Sequence, residues 1–354
     1  DAQESRGLGD VYKRQDMDKV AVVILNWNGE EMLRRFLPGV LAHTQAEIYV
    51  ADNASTDKSL ELLSVDFPVV KTILLERNYG FAEGYNRALA QIEAEYFVLL
   101  NSDVEVKDDW ISPMLQYLDT HPEVAACQPK ILSWHAPDKF EYAGAAGGYM
   151  DAWGYPYCRG RIMNTVETDE GQYDTVAPVF WATGAALMVR SAVYHEVGGL
   201  DARFFAHMEE IDFCWRLRSR GYDIVCVPSA VVYHVGGGTL PKENPNKTYL
   251  NFRNNLYMLY KNLPDERLST VMRCRFWLDR LAALQFLLKG ERRSFQAVFR
   301  ARSDFRKQKK DFRASRKENL SRMVVNPIPE QARFSILWAY YFQNRHKYSD
   351  LPHI

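Results

Sequence analysis

Three stretches of the chain carry side chains whose type and spacing can do chemistry. Asn101, Ser102 and Asp103 follow an apolar run at 97–100 within FVLLNSDVEV. Four consecutive apolar residues suit a strand buried on both faces, which sets Asp103 at the carboxyl edge of a sheet. Open α/β sheets bind ligands at that edge. A carboxylate there suits a hard divalent cation, Mg²⁺ or Mn²⁺, held against a diphosphate. The same triplet also fits an Asx-type turn. The second stretch, FFAHMEEIDFCWRL, sets Glu209, Glu210 and Asp212 among Phe204, Phe205, Phe213 and Trp215. On a helix Glu209 and Asp212 share a face and Glu210 points elsewhere. A carboxylate beside aromatic surface gains proton affinity, which suits a general base. Acidic residues also complement the dipole of a first helical turn. Third, His234 ends a strand-like run at 224–233 and precedes a glycine run at 236–238. It is a metal-ligand candidate on the condition that Asp103 lies beside it.

The elements around these residues follow a regular order. Residues 20–25 (VAVVIL) read as a buried strand ending at Asn26, Trp27, Asn28 and Gly29, and a helical apolar pattern follows. A second strand at 48–51 ends at Asp52, a third at 69–75 leads to Asn78 and Gly80, and a helix at 81–92 leads into the strand before Asp103. Such alternation predicts parallel strands with right-handed crossovers. Asn26, Asp52, Asn78 and Asp103 then recur at successive strand ends. Each alone fits turn chemistry, and four on one edge form a candidate nucleotide pocket. GxGxxG after the first strand and GxxxxGK[ST] are both missing from the sequence, which disfavours a dinucleotide Rossmann site and a P-loop. Further on, 108–118 reads as a helix and 124–132 as a strand. The glycine- and aromatic-rich segment 141–160 is expected as a loop, either covering a site or running over the surface. Residues 179–190 (VFWATGAALMVR) combine Trp181 and the small-residue turn at Thr183 and Gly184 with a strand. Glycine there admits a ligand close to the backbone, or marks a β-bulge.

Composition narrows the class. The 354 residues are 47% apolar and 25% charged, with net charge −1, so no global field points to nucleic acid. Five cysteines without CxxC spacing argue against a disulfide framework or a zinc cluster and fit a reducing compartment. Neither a signal peptide nor a membrane-spanning run is evident. The expected location is cytoplasmic, or peripheral at the inner face of the cytoplasmic membrane. Residues 1–18 read as a loose or non-native tail. Residues 247–260 look helical, and 275–288 are apolar and amphipathic. Residues 289–322 hold 13 basic against 4 acidic side chains, interleaved with Phe295, Phe299, Phe305 and Phe312. That pattern fits a membrane-surface element, or a helical extension packing on its own core or on a twin subunit in a homodimer. Residues 334–342 are too short to span a bilayer and fit a docking helix, an interface patch or an in-plane anchor.

In order and spacing, VVILNWNG, ADNASTD, RNYGFAEGYN, LLNSDV, WATGAALMVR, FFAHMEEIDFCWRLRSRGY and YHVGGGT resemble the family-2 inverting glycosyltransferases, a group that includes bacterial rhamnosyltransferases. The resemblance implies an α/β GT-A fold with a mostly parallel sheet over 19–262, followed by a helical extension at 263–354. It implies a nucleotide-sugar donor, a divalent metal (Mn or Mg), and a glycan or lipid-linked glycan acceptor. Donor contacts would fall on Asn26, Trp27, Asn28, Asp52, Asn78, Gly80, Asn101 and Ser102, and acceptor-side contacts on Trp181, Thr183 and Gly184. Asn101 stands where the family has the first acid of its DxD, so metal capture would rest on Asp103 with His234. The base falls on Glu210, where the family usually has aspartate, with Glu209 and Asp212 as alternatives. Two other readings remain open: a sugar-phosphate nucleotidylyltransferase, and a non-catalytic glycan or membrane scaffold.

Overall fold

The computed structural model describes residues 19–236 and 244–352. The tail at 1–18 and the glycines at 237 and 238 lie outside the described residues. The chain begins β1 (Val20–Asn26), α1 (Glu30–Ala42), β2 (Glu47–Asp52), α2 (Ser59–Asp66), β3 (Lys71–Leu74), α3 (Gly80–Leu89) and β4 (Tyr96–Leu100). β1 pairs in parallel with β2 and β4, and β2 with β3. Both faces of β1 and β4 are covered, so they read as continuous apolar runs rather than alternating ones, while the edge strand β3 is largely exposed. Ala21, Val23, Phe97 and Leu99 enter one core with Ala82, Tyr85, Ala88 and Leu89 of α3. Val20, Val22, Ile24, Val98 and Leu100 enter the other with Leu33 and Leu37 of α1. The two-residue period of a strand sorts them.

Then come β5 (Val104–Glu105), α4 (Ile111–Thr120), β6 (Val124–Ser133), β7 (Gly148–Met150), β8 (Pro156–Cys158), β9 (Arg161–Ile162), β10 (Thr165–Val166), β11 (Ala177–Pro178) and β12 (Ala186–Arg190). They are followed by α5 (Ser191–Glu196), α6 (Glu209–Ser219) and β13 (Asp223–His234). Among the described residues the main sheet runs β11-β13-β6-β12-β4-β1-β2-β3, with β5 paired to β13. β12 is antiparallel to both neighbours, while β13 runs parallel to β6, so the sheet is mostly parallel. Pro228 falls in a register break of β13 between Val227 and Val231, where a missing N–H costs no ladder bond.

The segment 141–160 departs from the loop expected of it. It supplies β7 and β8 to a small antiparallel sheet with β9 and β10, and Ala145, Ala146, Tyr149, Met150 and Tyr157 are buried. Its glycines serve close packing: a Cβ on Gly148 would fall 2.0 Å from the Trp181 ring.

The rest is helical: α7 (Pro245–Asn262), α8 (Asp265–Leu288), α9 (Arg292–Gln308), α10 (Arg313–Ser321) and α11 (Ile336–Phe342). Helices α7, α8, α9 and α11 share the first core, to which Leu256, Tyr257, Val271, Phe305 and Ile336 belong together with Phe312, just ahead of α10. Two of the four phenylalanines interleaved with the basic charge of 289–322 therefore point inward. Phe312 stacks on Tyr257 at 4.3 Å and Phe305 lies 5.9 Å from the same ring. No described helix is long and apolar enough to cross a membrane.

Candidate active site

The strand-end residues meet at one sheet edge. Asn26 donates to Asp52 at 3.0 Å and to the Ser55 hydroxyl at 3.2 Å. The other oxygen of Asp52 accepts the Ser55 N–H at 2.8 Å, so this buried carboxylate forms the Asx-type turn and also anchors Asn26. Asn28 is left-handed (φ 51°), and its side-chain oxygen accepts the Thr56 N–H at 2.7 Å. Trp27 is exposed at the mouth. The Asn26 Oδ1 is buried without a partner, and a Cβ on Gly29 would meet it at 2.4 Å and the Ser102 hydroxyl at 3.8 Å. Asn53 links the next loop, donating to Asn78 Oδ1 (3.2 Å) and the Gly80 carbonyl (3.0 Å) and accepting from the Tyr79 N–H (2.9 Å).

Pairing of β5 with β13 sets Val104 opposite His234, and the Val235 N–H donates to the Asp103 carbonyl at 3.0 Å. This register brings His234 Nε2 to 3.1 Å from Asp103 Oδ1, with Asn101 Nδ2 3.5 Å from the same nitrogen. Glu141 closes the far side of the ring, 3.6 Å from His234 Nδ1. Burial disfavours imidazolium, yet the Asp103 bond and the nearby carboxylates of Asp103 and Glu141 outweigh it and push the His234 pKa up to about 10. Burial likewise works against the Asp103 carboxylate, but the His234 bond and charge hold its pKa below the usual range. Asp103 would supply an oxygen, and His234 a nitrogen once the cation displaces its proton, to a Mg²⁺ or Mn²⁺ shared with a diphosphate and water. No cluster of three or more His, Cys, Asp or Glu able to hold a metal occurs among the described residues, so an all-protein cage is not built here.

The carboxylate pair reaches the same edge. The Asn101 N–H donates to the Ala185 carbonyl at 2.9 Å. At the adjacent Gly184, a Cβ would lie 3.7 Å from Glu210 Cβ and 3.1 Å from the Phe81 ring. Glu210 therefore sits against the turn that borders the Asp103 strand end. Its Oε2 is buried with no partner, and desolvation raises its pKa to about 7 against opposing backbone hydrogen bonds. Glu209 is buried, and desolvation followed by the charge of Glu210 raises its pKa well above the ordinary value. Asp212 is committed elsewhere. Its oxygens accept from Arg216 (3.1 Å), Lys261 (2.7 Å) and Asn262 (2.8 Å), which leaves it welding α6 to α7 rather than facing a substrate.

Two of the acceptor-side expectations move into the scaffold. The Trp181 indole N–H donates to the Tyr149 carbonyl at 3.0 Å and its ring covers Gly148, so it is core. Thr183 is buried, with its N–H on Gln128 at 3.0 Å and its hydroxyl accepting from the Ala185 N–H at 3.3 Å. Gly184, the third, borders Glu210.

The segment ahead of α6 is strained. Phe205, His207 and Met208 are all left-handed (φ 67°, 70° and 71°) without being glycine. Asn254 of α7 holds them, its amide donating to the carbonyls of Phe204 (3.0 Å), Ala206 (2.8 Å) and His207 (2.8 Å). The Phe205 carbonyl accepts the Phe81 N–H at 2.8 Å, and its ring lies where any Cβ on Gly80 would stand. The donor-loop residues and the Glu210 segment thus touch. Glu141, Asn53 and Asn254 escape sequence reasoning. ADNASTD contains Asn53, but only its neighbour Asp52 reads as a ligand.

A mostly parallel sheet with this polar carboxyl edge and a helical flank has the GT-A glycosyltransferase architecture. A structure of GalNAc-T7 with UDP, GalNAc and Mn²⁺ superposes with a TM-score of 0.56 at 16% identity, over 88% of this chain and 59% of that one. Residues 21–143 match the Glycosyl transferase family 2 model. It is 29% identical over 236 residues to the N-acetylglucosaminyl-diphospho-decaprenol L-rhamnosyltransferase of Mycobacterium tuberculosis, covering 61% of this chain and 76% of the relative. It is 24% identical over 243 residues to the low-salt glycan biosynthesis hexosyltransferase Agl10 of Haloferax volcanii, covering 67% and 74%.

Proposed function

We propose that the protein is a metal-dependent inverting glycosyltransferase that moves a sugar from a nucleotide-sugar to an acceptor hydroxyl in bacterial glycan assembly, of the O-antigen, capsule or cell-wall type. The observation that carries the reading is the shared border between the Asp103–His234 pair and Glu210, through Asn101, Ala185 and Gly184. Asn26, Asn28, Asp52, Asn78 and Gly80 shape the pocket for the nucleotide. Asp103 and His234 would hold the divalent ion, which supplies charge against the departing diphosphate. Glu210 is desolvated and titrates near neutrality, so it can take the acceptor's proton as that oxygen attacks the anomeric carbon. Attack opposite the leaving group inverts configuration in one displacement and needs no enzyme nucleophile. A glycan or lipid-linked glycan is the proposed acceptor, in keeping with the names of the relatives. The proposed location is cytoplasmic, peripheral at the inner membrane face.

The test is a donor screen. Purified protein with Mn²⁺ and a panel of nucleotide-sugars is followed for thermal stabilisation and nucleoside diphosphate release. Glu210→Gln is expected to keep donor stabilisation and lose turnover by about 100- to 10,000-fold, whereas Asp103→Ala loses the Mn²⁺-dependent part of the stabilisation. Normal turnover by both variants rejects the assignment. Pyrophosphate release from a nucleoside triphosphate would point to a nucleotidylyltransferase instead.

A further inference from the structure

Helix α8 is built inside out. Its buried face carries Val271, Arg275, Asp279 and Ala283, and Asp279 there binds Arg275 at 3.1 Å and also pairs with Arg302. Its outward face carries Trp277, Leu281, Leu284 and Leu288 at positions i, i+4, i+7 and i+11, exposed by 66%, 62%, 48% and 80%. A surface helix ordinarily turns its apolar stripe to the core and its charges to water. Helix α11 adds exposed Trp338, Tyr341 and Phe342, with Trp338 and Phe342 stacked at 4.5 Å. Tyr341 lies close enough to Gln285 of α8 and to Tyr142 for both to bear on its hydroxyl. The two apolar faces are therefore neighbours. They approach the cleft through Tyr142, which follows the Glu141 that faces His234.

Charge selects the occupant. Between Arg273 and Leu288 the one acid is Asp279, which is buried. Exposed Arg273 lies at one end of the stripe, and exposed Lys289, Arg292 and Arg293 at the other. Two copies of this chain meeting face to face about a two-fold axis would press these cationic ends together. A surface of anionic lipid complements both parts: the stripe and aromatic rings enter the headgroup boundary while the cations meet lipid phosphates.

We propose that the outward faces of α8 and α11 form an in-plane docking surface for an anionic phospholipid bilayer. The expected position of the membrane element thereby moves from 289–322 to α8 and α11, with only the first basic residues of α9 taking part. The inference rests on the glycosyltransferase reading only in supplying a lipid-linked acceptor from that side; vesicle binding itself needs no catalysis.

The full chain is mixed with vesicles of phosphatidylcholine, or of phosphatidylcholine with phosphatidylglycerol, and sedimented at low and high salt. Binding is expected on the anionic vesicles only, weakening with salt. A stripe variant (Trp277→Ser, Leu281→Ser, Leu284→Ser, Leu288→Ser) should lose at least roughly tenfold in partitioning. A charge variant (Lys289→Gln, Arg292→Gln, Arg293→Gln) should lose on the order of 100-fold, at roughly fivefold per cation. Both variants should keep the parent melting temperature and Mn²⁺-dependent stabilisation by nucleoside diphosphate. Absence of wild-type binding to anionic vesicles, undiminished binding by both variants, or a stable wild-type dimer that the stripe variant dissolves would each overturn the proposal. Loss of nucleotide stabilisation in the parent would instead count against the glycosyltransferase reading and leave the vesicle result standing.

Discussion

Replacing Asn254 with alanine isolates what holds the backbone ahead of Glu210. The amide donates to three carbonyls at 2.8–3.0 Å, each bond contributing about 1 kcal/mol net. Three acceptors share two amide hydrogens, so about 2 kcal/mol is the working figure. Opposing it is left-handed backbone at Phe205, His207 and Met208, a strain of order 1–3 kcal/mol per residue. Without the amide the segment relaxes and Glu210 leaves its place beside Gly184. A loss of about 2 kcal/mol corresponds to roughly 30-fold, and it should fall on kcat. The donor KM should move less, because Asn53 still holds Asn78 and Gly80. Asn254→Asp should be worse than alanine, since it turns a carboxylate toward three carbonyl oxygens. Steady-state release of nucleoside diphosphate, measured well below the melting temperature of each variant, reads the effect. A purely structural role lowers the melting temperature and spares kcat. If kcat of both variants stays within about twofold of the parent, under half a kcal/mol in barrier, the positioning role is refuted.

Three further outcomes follow from the site. The wild-type kcat should rise with pH along a limb near 7, where Glu210 ionises; a rate flat from acid to alkaline pH would remove Glu210 as base. Glu209 has a folded pKa raised by burial, so the folded state holds a proton that the unfolded state releases above its ordinary value, and stability falls as pH rises through that window. Glu209→Gln should therefore gain melting temperature relative to the parent at pH 8 but not at pH 4, and equal shifts at both would contradict the burial. Gly80→Ala forces a side chain into a φ of +76° and against the Phe205 ring; a higher donor KM and a lower melting temperature are expected, and unchanged values of both would show that this contact is dispensable.

The strand ends were legible because buried parallel strands write themselves as unbroken apolar runs whose polar stops fall on one edge. Asn26 and Asp52 do bond there, and His234 does meet Asp103. Glu141 and Asn254 were not legible, since their meaning comes from backbone far away in sequence. Asn254 sits in an aromatic, amide-rich helix that looks alike at every turn, and only the three carbonyls it reaches distinguish it. The segment 141–160 misled in the opposite way. Glycine and aromatic residues suggest an exposed loop, yet here glycines let Trp181 and Phe140 rings lie directly on the backbone of a small buried sheet. Trp181 lies buried against that sheet for the same reason. In 289–322 the basic count hid the fact that Phe305 and Phe312 face Tyr257.

The tie from Asp212 to Lys261 and Asn262 continues outward, because Asn319 of α10 donates to Asn262 at 2.8 Å. Shortening this protein for crystals or assays at residue 262 would cut between two ends of one fastening. Lys261 and Asn262 would still bond Asp212, but Asn262 would lose Asn319, so the seat of the Glu210 helix would loosen. Activity missing from such a fragment would then report a loosened hinge pin, not a missing catalytic group.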